Sequence, residues 1–225
     1  MSASVASASW SRPVRFGGPS SLDVSPAQIG LSPSGAAAIA FGLENAESPA
    51  SASAFLTTTT RGRVGKPRRV PGAQAILDLA YDGTALELLT GASPAGEACC
   101  SSAQTLRLSG KGAFSRPRTL IGGLTGPTLG RLVTVTGGGT LAAIGTDHGV
   151  WAAQAPKLDR FGPARRLTAA KDRPQAMAAT SLANGHTAIA WTATSGPPGG
   201  PGPRSILIAT GARSRAPQGR ATAGT

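Results

Sequence analysis

Short apolar runs alternate with glycine-containing turns along most of this 225-residue chain. Four such runs have strand length and directly follow a turn: 37–41 after 32–35, 85–89 after 81–83, 141–144 after 136–139 and 187–191 after 182–185. A further apolar segment follows each run, at 53–57, 104–108, 149–153 and 205–209. Tight hairpin turns need positive φ, which glycine adopts without steric cost, so the pattern predicts successive β-hairpins.

A proline-containing motif recurs in phase with these hairpins. The four copies span residues 16–22, 64–70, 114–120 and 161–167, and each has an apolar first residue and an aliphatic seventh residue. Phe16 to Val64 is 48 positions, Val64 to Phe114 is 50, and Phe114 to Phe161 is 47. Proline is tolerated in edge strands, so the motif predicts the outermost strand of each repeating unit.

The repeat therefore predicts an all-β, β-propeller-like array of four-stranded antiparallel blades, with about 4.5 repeats of about 48 residues. We expect one domain over residues 1–225, with a partial unit at 1–23 and units at about 24–71, 72–121, 122–168 and 169–222. The last copy of the motif, near 215–220, lacks both apolar anchors, and the count does not complete a ring. A fragment of a longer propeller or an open stacked array are the alternatives.

The four proline-containing motifs, and the glycine turns and apolar strands such as 187–191 that follow them, resemble those of uncharacterised β-propeller-like repeat proteins that are common in GC-rich bacteria. The resemblance covers about residues 5–211 and implies the fold but no function, because propellers include enzymes, scaffolds and lectins. Residues 146–151 resemble, once and incompletely, the Asp-box turn of sialidase-like propellers.

Composition and charge narrow the choice of partners. With 40% hydrophobic and 14% charged residues, the chain is the opposite of a disordered one. The net charge is +12 and comes mainly from arginine, which GC-rich coding also favours. Six arginines occupy matching motif positions and would form a basic rim able to attract a protein or an anionic glycan; they are Arg68, Arg69, Arg116, Arg118, Arg165 and Arg166. Interleaved aromatic residues are missing, which argues against nucleic acid.

The candidate chemistry is sparse. Adjacent Cys99 and Cys100 would form a vicinal disulfide in an oxidising compartment, or two free thiols, or one bridge to another part of the chain. With only His148 and His186 besides, we expect no metal site, and no motif predicts a cofactor. We assign no catalytic residue, because neither a nucleophile elbow nor a carboxylate pair is evident.

The sequence alone favours a non-enzymatic module that binds a protein or a glycan on one face of the propeller. The alternatives are a sialidase- or lyase-like hydrolase with its site at the centre of the ring, and a truncated, non-functional copy. Asp147, His148 and Tyr81 gathered in one central pocket would favour the enzyme.

No apolar run is long enough to cross a membrane. Because no signal peptide is visible, we expect a cytoplasmic protein, or an exported one if the N-terminus is truncated.

Overall fold

The structure, a computed structural model, is all-β within the part of the chain that it describes. Those residues are 22–24, 26–45, 48–60, 63–94, 97, 99–110, 112–125, 128–156, 160–168, 173–194 and 204–211. Three sequence features lie outside them: residues 5–8, which resemble a third strand of the partial first unit, the first motif copy up to residue 21, and the degenerate copy at 215–220.

Within the described ranges, seventeen strands form four sheets in sequence order. The first sheet contains β1 (Leu22–Val24), β2 (Gln28–Leu31), β3 (Ala37–Asn45), β4 (Ser48–Thr60), β5 (Arg63–Val64) and β6 (Arg68–Arg69). The second contains β7 (Ala75–Asp82), β8 (Ala85–Ala92), β9 (Ser102–Leu108) and β10 (Arg118–Gly122). The third contains β11 (Leu129–Thr134), β12 (Thr140–Thr146), β13 (Gly149–Ala155) and β14 (Arg165–Arg166). The fourth contains β15 (Arg173–Ser181), β16 (Thr187–Thr194) and β17 (Arg204–Gly211).

The sheets are the blades of a propeller-like array, which we number 1 to 4. Within each blade, consecutive strands pair antiparallel, as in the order β7-β8-β9-β10 of blade 2. In blade 1, β1 and β2 both pair with β3, so together they occupy the first-strand position. The first strands β2, β7, β11 and β15 contact one another in sequence, which makes them the inner strands of the array.

The antiparallel pairing gives the array two faces. The lower face carries the turns between first and second strands, where Gly83 and Gly185 have φ of 64° and 79°. The upper face carries the connections between second and third strands, such as those between β8 and β9 and between β12 and β13. Inner strands therefore begin at the upper face and end at the lower one.

Each pair of neighbouring blades buries one apolar cluster. Between blades 1 and 2, Ala40 and Leu56 pack with Leu88 and Leu106, and between blades 2 and 3, Leu89 packs with Ile144. Between blades 3 and 4, Leu141 packs with Trp191. Alternate residues of one strand serve the two neighbouring interfaces, as expected for sheets that are covered on both sides.

The fold class is confirmed, and the predicted runs and turns lie in the expected strands and hairpins. One prediction is wrong: the polar composition of residues 44–52 predicts a loop between the second and third strands of the first unit, but β3 extends to Asn45 and β4 begins at Ser48, and these two residues are paired. The motif prolines also precede the edge strands rather than lying within them.

The outward faces of the end blades are partly uncovered in the described residues. On blade 1, Ile29 and Leu31 are 66% and 70% exposed, and on blade 4, Ile206 and Ile208 are 75% and 69% exposed. No helix in the described ranges has the length and apolarity needed to cross a bilayer.

Candidate functional site

A disulfide joins Cys99 to Cys100 at the upper face, in the connection between β8 and β9. Gly91 makes room for it, because a Cβ at this position would lie 2.2 Å from Cys100 Sγ. The neighbouring Ser101 donates its backbone N–H to the carbonyl of Ala92 and accepts one from Leu124. The half-buried ring is thereby held against both blade 2 and the segment that leads to blade 3.

Non-reducing mass spectrometry of the peptide that contains Cys99 and Cys100 should give a mass lower than the dithiol by two hydrogen atoms. Reduction followed by alkylation should then add two alkyl groups to the same peptide. Two alkylated thiols without prior reduction, in protein purified under oxidising conditions, would contradict the disulfide.

Polar groups lie beside this ring. A groove of about 530 Å³ is lined by Ser93, Ser101, Ser102 and Gln104 together with several glycines and prolines. Gln74, just before β7, donates from Nε2 to the carbonyl of Glu97 at 3.1 Å, while its Oε1 is buried without a hydrogen-bond partner in the described structure. This part of the upper face therefore offers several hydroxyl and amide groups to a polar ligand.

Two acidic residues are opposite each other on the innermost strands of blade 1. The register pairs Asp23 of β1 with Glu44 of β3 at the upper face. Glu44 is exposed. The sequence did not reveal this pair, because the two residues are far apart in the chain and Glu44 was assigned to a loop.

The residues proposed as a marker of an enzyme centre do not come together. Asp147 and His148 form the turn between β12 and β13 on the upper face, where His148 Nε2 is 3.0 Å from Thr125 Oγ1. Tyr81 lies near the lower end of β7, packed against the cluster between blades 1 and 2. Burial raises the pKa of Tyr81. His186 is an exposed residue of the turn before β16.

Asp78 links two inner strands. Its Oδ1 accepts the N–H of Leu79 at 2.8 Å, and its Oδ2 accepts the N–H of Leu132 on β11 at 2.7 Å. Burial raises the pKa of Asp78, although both N–H donors and the charge of Arg131 act in the opposite direction. Both carboxyl oxygens of Asp78 thus accept backbone N–H groups, one from blade 2 and one from blade 3, so the role of this residue is to hold the two blades together.

A charged cluster is buried between blades 2 and 3. Arg107 Nε lies 2.9 Å from Glu87 Oε2, and Arg107 Nη2 lies 3.7 Å from Asp82 Oδ2. The Glu87 and Asp82 side chains are only 7% and 8% exposed. Burial raises the pKa of Glu87, which the hydrogen bond and charge of Arg107 oppose. The shared cation and the burial make this carboxylate pair a structural one.

The six rim arginines are all exposed on or beside the outer strands β6, β10 and β14. Two of them stack on aromatic rings: the Arg68 guanidinium lies 4.9 Å from the Phe114 ring centre, and that of Arg166 lies 5.4 Å from the ring of Trp151. Arg166 also donates to the carbonyl of His148. Arg68 and Arg166 therefore have contacts within the protein. Binding of an anionic partner by the rim arginines stays a prediction.

Among the described residues, no group of three His, Cys, Asp or Glu side chains could hold a metal ion.

No protein-family model and no curated protein sequence matches this chain. Solved structures do. An α-L-arabinanase from Penicillium chrysogenum, solved with arabinobiose, superposes with a TM-score of 0.57 at 15% identity over 81% of this chain and 62% of its own. An α-L-arabinofuranosidase from Podospora anserina, solved with cellotriose, gives 0.52 at 11% identity over 90% of this chain and 69% of its own. A xylan β-1,4-xylosidase from Bacillus halodurans gives 0.52 at 13% identity over 86% and 42%.

These similarities show a propeller fold, and this chain spans between 42% and 69% of the length of the three proteins. They also correct the functional expectation. The expected non-enzymatic binding module is wrong by this comparison, because the similar propellers are named as glycosidases and favour the hydrolase alternative.

Proposed function

We propose that this chain is the propeller of a glycoside hydrolase whose substrate binds at the upper face. The observation that carries the proposal is the register that places Asp23 of β1 opposite Glu44 of β3 at the upper face of blade 1. Directly paired residues of two antiparallel strands lie on the same face of the sheet, and glycosidases use two carboxyl groups that flank the scissile bond. One of the two would act as the nucleophile and the other as the acid and then the base.

Other features of the same face support a carbohydrate substrate. The hydroxyl-lined groove beside β9 matches the many hydroxyl groups of a sugar. The named activities of the similar propellers indicate arabinose- or xylose-containing glycans as the first substrates to try.

The test is hydrolysis of aryl α-L-arabinofuranosides, aryl β-D-xylosides and arabinan by the purified full chain. We expect turnover of at least one substrate, and a loss of about 10²- to 10⁴-fold in kcat for Asp23→Asn and for Glu44→Gln, because each removes one of two acid–base groups. Glu97→Gln is the matched control, since Glu97 is an exposed acid in the β8–β9 connection of the same face.

Activity of Asp23→Asn and Glu44→Gln equal to that of the wild type would refute the assignment of the pair. No hydrolysis of any substrate by the wild-type chain would refute the proposed function itself.

A further inference from the structure

Three successive blades carry an arginine at the same place on the outer rim of the array. Arg68, Arg118 and Arg165 are each the fifth residue of their motif, they lie on β6, β10 and β14, and all three are exposed. We call them the arginine row. Each is paired with a residue of the third strand of its own blade, in order Leu56, Thr105 and Ala152.

The strand register also places the arginine row on the same side of each blade. Directly paired residues of antiparallel strands lie on one face of the sheet. Leu56 belongs to the cluster between blades 1 and 2, and Ala152 packs against the cluster between blades 3 and 4. Thr105 and Arg118 line a crevice together with Phe161, the first residue of the motif of blade 3. Each arginine of the row therefore lies on the face that its blade turns towards the next one.

Within the described ranges, no acidic residue lies on or beside the outer strands β6, β10 and β14. Asp78, Asp82 and Glu87 bind groups within the blades. The other described acids lie in strands or connections at the upper face; they are Asp23, Glu44, Glu97 and Asp147. The positive charge of the rim is therefore segregated from the negative charge of the upper face, which favours an anionic partner at the rim.

The spacing of the row selects the kind of anion. Sheets that pack face to face lie about 10 Å apart, and the blades of a propeller diverge away from the axis, so we expect the outer strands of neighbouring blades to be separated by about 10 Å or more. A small anion can bind only one arginine of the row. A linear polymer with charges at regular intervals can bind all three, and each further contact is then intramolecular and strengthens the complex.

We propose that the arginine row is a binding surface for an acidic polysaccharide whose sugars carry carboxylates. A guanidinium binds a carboxylate through two parallel N–H···O bonds, which gives the contact direction as well as charge. Single-stranded nucleic acid fits less well, because it is bound through aromatic rings on which the bases stack. The rings of Phe114 and Trp151 each have an arginine stacked on them, Arg68 and Arg166 respectively. The rim is separate from the proposed hydrolase site at the upper face.

The test measures binding of the purified full chain to surface-immobilised polygalacturonate by surface plasmon resonance. We expect saturable binding that weakens as salt is added. Free galacturonate should compete about 10²-fold less well than free polygalacturonate at equal carboxylate concentration, because only the polymer reaches several blades. Asp23→Asn, which belongs to the proposed hydrolase site, should leave the binding unchanged, so the two proposals fail independently.

Two triple variants with the same change of net charge separate the row from the overall charge. Loss of the row should weaken binding by about 10-fold or more; this variant combines Arg68→Gln, Arg118→Gln and Arg165→Gln. Loss of the other three rim arginines should weaken it by no more than about threefold, as for screened surface charges; this control combines Arg69→Gln, Arg116→Gln and Arg166→Gln. The two variants are matched, since each removes one arginine that stacks on an aromatic ring.

Thermal unfolding shows whether both triple variants fold, and if one does not, Arg118→Gln against Arg116→Gln on the same blade makes the same comparison. Equal weakening by the row and control variants would mean that net charge alone attracts the polymer, and it would overturn the proposal. The absence of saturable binding, or equal competition by monomeric galacturonate, would do the same. Tighter binding of single-stranded or duplex DNA than of polygalacturonate would assign the surface to nucleic acid instead.

Discussion

Replacing Arg107 with methionine is expected to lower the free energy of unfolding by about 3–5 kcal/mol at neutral pH. The change leaves two carboxylates, those of Glu87 and Asp82, buried between blades 2 and 3 without their cation. Methionine keeps most of the apolar volume of the arginine stem, so the loss reports on charge. Urea unfolding of both proteins measures the difference.

The pH dependence identifies the cause. Burial raises the pKa of Glu87 from its ordinary value of 4.5, and removing Arg107 removes the group that opposes this. The penalty at Glu87 exists only while its carboxylate is ionised, so the destabilisation should shrink as pH falls through the raised pKa of Glu87 and be smallest below 4.5. Adding Glu87→Gln to the variant should recover part of the loss at neutral pH, and Arg116→Met serves as an exposed control. A loss that is the same at all pH values would mean that packing, not charge, is responsible.

Replacing Leu88 with alanine should cost about 2–5 kcal/mol of unfolding free energy. Leu88 is fully buried on β8 in the cluster between blades 1 and 2, and truncation leaves a cavity that the surrounding strands cannot fill. Thermal or urea unfolding gives the value. The matched control is Leu31→Ala, the same chemical change at a side chain that is 70% exposed on the outward face of blade 1.

We expect less than about 0.5 kcal/mol for the control, as for surface substitutions in general. A cost at Leu31 that approaches the cost at Leu88 would contradict the exposure of this face. It would mean that another part of the protein, or a second molecule, covers it in solution.

The repeat made the fold readable from the sequence. Turn glycines such as Gly83 and Gly185 require positive φ, and apolar runs of strand length follow them, so local chemistry alone placed the hairpins. The motif prolines located the outer strands, because proline cannot donate a hydrogen bond inside a sheet; in the structure they lie just before β6, β10 and β14. Where local signals were ambiguous, as at 44–52, the ladder between β3 and β4 decided the structure instead.

The candidate sites were not readable in the same way. Arg107, Glu87 and Asp82 alternate with apolar residues and so suggest a solvated strand face, whereas blade 3 covers that face. Asp23 and Glu44 meet only through strand pairing.

A single glycine lies at the closest approach of each pair of blades: Gly30 against Leu79, Gly130 against Leu77 and Leu89, and Gly145 against Pro174. A Cβ at these three positions would come within 2.1, 2.5 and 2.8 Å of the neighbouring blade. Gly30 and Gly130 are on the inner strands β2 and β11, so they allow neighbouring blades to approach closely near the centre of the array. An alanine at any of these positions would force the neighbouring blade to move, so the three glycines are what allows successive blades to pack this closely.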